Sequence, residues 1–296
     1  MRLKKVLKAL GMVLAVLILF VVGVVTWATL NVRGRAQKKF DFPPLNISEK
    51  IKTADKELGR KIVTVRISCT ICHGGDLGGK TFINDPAVGT FSGANITPYG
   101  LGAKSDEDVA RAIYYGVRAD GTPLIFMPSN EYHNLALEDV AAVVAYLRTV
   151  TPVARPTLPL KIGLLGKVLG ATGKMSVLIP AELISSNAQA VVKPTEENSV
   201  AFGKYLVESV CIGCHGRELK GGPIDGGDPS WPPAANLRLV ADGLWKEADF
   251  INTIKTGKTP DGRTLRDPMR GIVENAKEMS DTELKAIWSY LTALKG

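Results

Sequence analysis

Two five-residue stretches concentrate the reactive side chains of this 296-residue chain: Cys69-Thr70-Ile71-Cys72-His73 and Cys211-Ile212-Gly213-Cys214-His215. They use all four cysteines and two of the three histidines. C-x-x-C-H is the attachment pattern for c-type haem. On a helical turn, positions i, i+3 and i+4 share a face. Two thiols can then reach the two vinyl groups of one porphyrin while the adjacent imidazole reaches its iron. C-x-x-C alone also fits half of a zinc site or a redox dithiol. Four-cysteine zinc sites usually bring their pairs within about 15–20 residues, whereas these pairs stand 142 positions apart and each is followed by His. A thioredoxin-like dithiol expects a βαβ context, and the flanking sequence has none. The expectation is therefore two covalently bound haem c groups, held by Cys69, Cys72, Cys211 and Cys214, with His73 and His215 as proximal iron ligands.

The second axial position decides between electron transfer and small-molecule chemistry: a Met ligand gives a closed electron-transfer site, and an open position binds or activates small molecules. Each motif has a Met 54 residues beyond its His, Met127 and Met269. Met is also a common core filler, but equal spacing in both halves favours distal ligands. Met127 precedes Pro128, which stiffens a ligand loop; Met269 follows Pro268, so the loops differ in detail, and both methionines are expected on loops. Met279 aligns with Leu135 and reads as packing. His133, an alternative ligand in the first half, has no counterpart in the second and reads as a surface residue.

The elements that must position these groups repeat. Cys69, Cys72, His73 and Met127 map onto Cys211, Cys214, His215 and Met269 at +142, Ala94-Asn95-Ile96 onto Ala235-Asn236-Leu237 at +141, and Tyr146-Leu147 onto Tyr290-Leu291 at +144. Small drifts are what loop insertions produce. Lead-in helices are expected over 54–63 and 203–208, and glycine-rich loops follow each motif. Ser105 with Asp108 and Ser280 with Glu283 have capping-box spacing. Gly116 and Gly257 are placed to end helices. Closing helices carry apolar faces at Val140, Val143, Val144 and Leu147, and at Leu284, Ile287, Trp288 and Leu291. The pattern predicts a mostly α chain: 1–40 an anchor with basic flanks, 41–50 a polar tether, 51–150 one haem domain, 151–196 a linker and 197–296 a second haem domain. Within the linker, 160–169 fits a short amphipathic helix, read as packing between the two domains in preference to a second membrane contact.

Formal net charge is +8, but residues 1–40 hold eight basic side chains and no acid, leaving 29 of each sign over 41–296. The excess flanks an uncharged apolar run over 9–30, so it marks a membrane surface and excludes a nucleic-acid footprint. Its 22 residues make about 33 Å of helix, enough for a hydrocarbon core of ~30 Å. Signal-peptide apolar regions are usually about 7–15 residues, so a retained single-pass anchor is expected. Haem attachment outside the cytoplasmic membrane places the body in the periplasm.

The order lead-in helix, C-x-x-C-H, Met-bearing loop and closing helix resembles the class I cytochrome c domain, over 51–150 and 197–296. Ala94-Asn95-Ile96-Thr97 and the 137–147 stretch also resemble bacterial multihaem dehydrogenase cytochromes. In that family a lead-in glycine (here Gly59, Gly203) lets the closing helix cross closely near an aromatic residue (here Tyr146, Tyr290). Dehydrogenase cytochrome subunits usually have three such domains and a C-terminal anchor. The dihaem subunit of cbb3-type oxidases is similar in placing an anchor before two domains. The resemblance implies a dihaem electron carrier at the periplasmic face of the bacterial inner membrane, without catalytic residues. Its partners would be a dehydrogenase or quinol-oxidising complex as donor and a terminal oxidase or other acceptor, with lipid contacted through the N-terminal helix. The competing expectation is a dihaem redox enzyme, peroxidase-like or acting on sulfur compounds, with one open haem position.

Overall fold

The structure, a computed structural model, describes residues 2–294 apart from 157, 188 and 229. In chain order the helices are α1 (Arg2–Gln37), α2 (Ser48–Lys52), α3 (Lys56–Lys61), α4 (Thr70–His73), α5 (Pro98–Leu101), α6 (Asp106–Tyr115), α7 (Ser129–Tyr132), α8 (Leu137–Leu147), α9 (Leu164–Ala171), α10 (Val200–Val210), α11 (Ile212–His215), α12 (Leu237–Leu239), α13 (Glu247–Thr256), α14 (Met269–Ala276) and α15 (Asp281–Ala293). Strands β1 (Lys80–Asp85) and β2 (Gly89–Gly93) form an antiparallel hairpin, to which β3 (Lys161–Ile162) adds an antiparallel edge. The chain is mostly helical, as its periodicity predicts.

Local chemistry sets the helix boundaries. Asp55 caps α3 by accepting from the N–H groups of Glu57 and Leu58, satisfying donors that a helix start leaves orphaned. Both capping boxes form, Ser105/Asp108 at α6 and Ser280/Glu283 at α15. Gly116 (φ 67°) and Gly257 (φ 71°) end α6 and α13 in the left-handed conformation, where a Cβ is unfavourable.

Each repeat is built on one crossing, α3 on α8 and α10 on α15. A Cβ at Gly59 would overlap the carbonyl of Ala142 beside Tyr146, and one at Gly203 would overlap the carbonyl of Ala286 beside Tyr290. The two backbones therefore meet at glycine, as expected. The first lead-in is shorter than 54–63: α3 stops at Lys61 and continues as a π-turn over Ile62–Arg66. That widened turn delivers Arg66 to the interior.

One contiguous apolar core runs through both repeats, including Ile62, Val63, Val140, Val144, Phe202, Leu206, Leu284 and Leu291. Phe42, Leu45 and Ile47 join it, so residues 41–50 are pinned to the body by apolar side chains. A buried ionic network crosses between the repeats. Arg66, 4% exposed, pairs with Glu283 at 2.6 Å and Glu196 at 2.8 Å. Lys61 reaches the other Glu283 oxygen at 2.6 Å, and Lys193 pairs with Asp139 at 2.7 Å. The Tyr205 hydroxyl donates to Asp139 at 2.6 Å. Asp139 and Glu283 are both fully buried, a placement that charges tolerate only when paired.

The linker differs from expectation. Its helix is α9, and it packs along α1 and touches β2, not between the repeats. Val32, Phe91, Met175, Leu178 and Ile179 form a second small core there. The reason is stereochemical: Gly166 and Gly170 let α9 lie close to Val88 and to Leu178 and Val32. Helix α1 is long and apolar enough to cross a membrane, and its large apolar side chains are exposed from Leu3 to Val22.

Candidate functional site

The two attachment motifs have the same construction. Cys69 leads into α4, which carries Cys72 and His73; Cys211 leads into α11, which carries Cys214 and His215. None of the four cysteines is in a disulfide. Each turn ends at a glycine with positive φ, Gly74 (83°) and Gly216 (75°). The chain then folds back so that the N–H of Gly79 donates to the carbonyl of His73 at 2.8 Å, and the N–H of Gly221 to that of His215 at 2.9 Å. Leu77 and Leu219 take positive φ (58° and 57°) in these folds, and their carbonyls accept from Ile96 and Leu237 at 2.9 Å. The backbone thus repeats down to its strained residues.

That fold-back explains the repeated Ala-Asn pair. His73 Nδ1 lies 2.7 Å from the Ala94 carbonyl and His215 Nδ1 2.8 Å from the Ala235 carbonyl. A carbonyl only accepts, so Nδ1 carries the proton and Nε2 keeps its lone pair for a metal. Burial holds both imidazoles below the usual His range, which keeps them neutral, the form a metal binds. Asn95 supports the first carbonyl: its amide donates to Val153 and Arg155 carbonyls at 2.8 and 2.7 Å, and its oxygen accepts from Thr97 at 2.7 Å.

The thiols do not suit the rival chemistries. Burial, reinforced by the neighbouring cysteine, pushes Cys69 up to about 12, and burial pushes Cys72 up to about 11. Cys211 and Cys214 follow at about 12 and about 11, again chiefly through burial. A redox dithiol needs a stabilised thiolate. Among the described residues, no three His, Cys, Asp or Glu side chains converge as a metal-ion site requires. Two protonated, half-buried thiols beside an imidazole with a free Nε2 fit two thioether links and one iron bond.

Met127 and Met269 both lie partly buried against the main core. Met127 is on a loop, as expected. Met269 is instead the first residue of α14, directly after Pro268, because that helix begins two residues earlier in register than α7. Met279 is buried in the core, as its alignment with Leu135 implies. His133 is not a surface residue. Its ring lies 4.3 Å from Tyr114 and 5.6 Å from Tyr115 between ring centres, and both of its nitrogens are shielded from solvent. Its ring is tilted against both tyrosines, by 49° and 38°.

Several neighbours of the motifs escape sequence reasoning because they come from the opposite repeat. Glu131 on α7 lays its carboxylate against Gly213, inside the second motif, and burial raises it to about 7. Asn275 on α14 reaches back to Thr70, inside the first motif, at 3.3 Å. These two residues are 144 positions apart, the offset that also relates the closing helices, so equivalent positions of the two repeats make the two contacts reciprocally. Tyr132, from the same repeat, is buried next to Cys69, with its hydroxyl pushed well up by burial and by Cys69 and Glu131.

Comparison with known proteins agrees with this geometry. A cytochrome c family model matches residues 56–151 and 200–295. The chain is 28% identical over 253 residues to the fructose dehydrogenase cytochrome subunit of Gluconobacter japonicus, across 78% of this chain and 51% of that one. It is 29% identical over 262 residues to the alcohol dehydrogenase (quinone) cytochrome c subunit of Gluconobacter oxydans, across 77% and 52% respectively. It is 26% identical over 233 residues to a diheme cytochrome c-type protein of Cereibacter sphaeroides, across 72% and 74%. The chain spans about half the length of the two dehydrogenase subunits. Each matched segment contains one complete attachment turn, its carbonyl-tethered histidine and its glycine-crossed helix pair, and the chain belongs to the cytochrome c family as a tandem of two such domains.

Proposed function

We propose that the protein is a membrane-anchored dihaem cytochrome c that relays single electrons at the periplasmic face of the inner membrane, between a dehydrogenase or quinol-linked donor and a terminal acceptor. Haem c supplies reversible one-electron iron chemistry. Cys69 and Cys72 hold one group and Cys211 and Cys214 the other. His73 and His215 are the proximal ligands, and Met127 and Met269 the distal ones.

The observation that carries this reading is the reciprocal contact between the repeats. Asn275 touches the first attachment turn and Glu131 the second, and one apolar core is continuous across both. Both turns are therefore fixed with respect to one rigid interface, which suits transfer within the chain. The Ala94 and Ala235 carbonyls orient the imidazoles, and apolar packing around both turns lowers the dielectric. The names of the similar dehydrogenase subunits support a dehydrogenase as donor. The apolar length of α1 supports the anchor, and covalent haem attachment supports the periplasmic side.

Replacing Met127 and Met269 by Ala, one at a time, tests the ligand set. Each substitution should abolish the Met–Fe(III) charge-transfer band of one haem and leave that of the other. Retention of both bands would refute the assignment. Rapid carbon monoxide binding by the unaltered ferrous protein would instead support the enzyme reading, with one open position.

A further inference from the structure

We propose that the N-terminal end of α9, with Leu160, Leu164 and Leu165, is a second membrane contact that inserts into the interfacial layer of the bilayer crossed by α1. This rests on α1 spanning that bilayer. The three leucines are 40%, 58% and 45% exposed, and they sit on the element that packs along α1. Lys161 is exposed beside them and Lys167 half so, Lys174 is exposed past the other end of α9, and Arg33, Lys38 and Lys39 are exposed at the end of the anchor. Apolar residues with basic neighbours are the composition of a segment lying on an anionic lipid surface.

The depth follows from α1. Its uncharged run ends at Leu30. Yet the face covered by the body already includes half-buried Val24 and Val25 and fully buried Ala28, and it continues to Val32. From Val24 to Leu30 the helix rises about 9 Å. Gly170 of α9 meets Val32 and Arg35, and Val32 stands two residues, about 3 Å of helix, beyond the end of the run, so with the whole run in hydrocarbon α9 lies at the level of the interfacial layer. Sliding α1 to keep α9 dry would draw Lys8, and then Lys5 and Lys4, in from the opposite edge of the hydrocarbon, where a charged side chain is costly. Nor is α9 free to swing away. Arg35 donates to the Gly170 carbonyl at 2.7 Å and pairs with Glu182 at 2.6 Å.

The test is nitroxide labelling of single added cysteines in the full haem-loaded chain, whose native cysteines are consumed by haem. The labelled protein is placed in nanodiscs of phosphatidylcholine and phosphatidylglycerol. Leu164→Cys and, as a second variant, Leu165→Cys should relax severalfold more with oxygen relative to a water-soluble nickel chelate than Leu244→Cys, an exposed site (69%) in the second repeat. Leu17→Cys reports the span. If Leu17→Cys is lipid-like while both α9 labels match Leu244→Cys, the proposal fails and the span stands. If Leu17→Cys is water-like, the span itself fails. Shielding of the α9 labels from both agents would mean protein cover and would also overturn the proposal.

Discussion

Glu283→Gln removes one charge from the network between the repeats while keeping a side chain able to cap α15. Burial alone would raise this carboxyl, but Lys61, Arg66 and the Ser280 N–H overcome burial and pull it down from 4.5 to about 2. At 1.36 kcal/mol per pH unit, that drop corresponds to about 3 kcal/mol at neutral pH. The loss of one partner from a buried pair costs about 3–5 kcal/mol, so two routes give the same scale. Glu196 stays close to Arg66 at 2.8 Å, which favours the lower end. Because the folded value lies below the unfolded one, this stability is fully present above 4.5 and is lost as pH falls toward 2. Urea unfolding of the detergent-solubilised protein, followed by far-UV circular dichroism, should show the variant weaker by about 3 kcal/mol at neutral pH, with the gap narrowing below 4.5. Glu196→Gln, whose own side chain is 36% exposed, should cost at most about 1 kcal/mol. A Glu283→Gln gap under about 1 kcal/mol, or one that stays constant down to about pH 3, would refute the coupling drawn between Arg66 and Glu283.

Gly59→Ala and Gly203→Ala should each destabilise by about 2 kcal/mol or more in the same assay, since the added methyl meets a backbone carbonyl that cannot swing aside; loss under ~0.5 kcal/mol would mean that the helices do not cross there. Glu131→Gln should raise the midpoint potential of the second haem when measured at about pH 8, above the value of about 7 to which burial brings this carboxyl, because an ionised carboxylate favours the ferric state. An unchanged potential in spectroelectrochemical titration would place Glu131 too far from that haem to act. His133→Leu should leave the Met–Fe(III) band of the first haem intact, since the ring is lodged beside Tyr114 and Tyr115; its loss would reopen His133 as a ligand.

The local chemistry of this fold is legible in the sequence wherever neighbours in space are neighbours along the chain. Ser105, Ser280, Gly116 and Gly257 mark helix ends because a cap is satisfied within one turn. The +141 register of Ala94 and Ala235 is visible, but only the fold-back after each motif shows that these carbonyls hold the imidazoles. The β1–β2 hairpin is missed although Thr81, Phe82, Ile83 and Phe91 carry β-branched and aromatic side chains, because the glycines around it dominate the reading. Arg66, Asp139 and Lys193 look like ordinary surface charges, and Glu283 like a capping residue alone. Only the packing of one repeat on the other buries them, and no single-segment pattern encodes that. Met269 shifts from loop to helix because Pro268 supplies an N-cap that the first repeat places one residue after its Met.

The most direct test is pyridine-haemochrome quantitation of the purified chain beside two variants, Cys69→Ala with Cys72→Ala and Cys211→Ala with Cys214→Ala, each expressed with a haem-ligation apparatus. Two haems c per unaltered chain and one in each variant is the predicted result. A colourless chain, a single haem, or a variant that keeps both would contradict covalent attachment at these two turns.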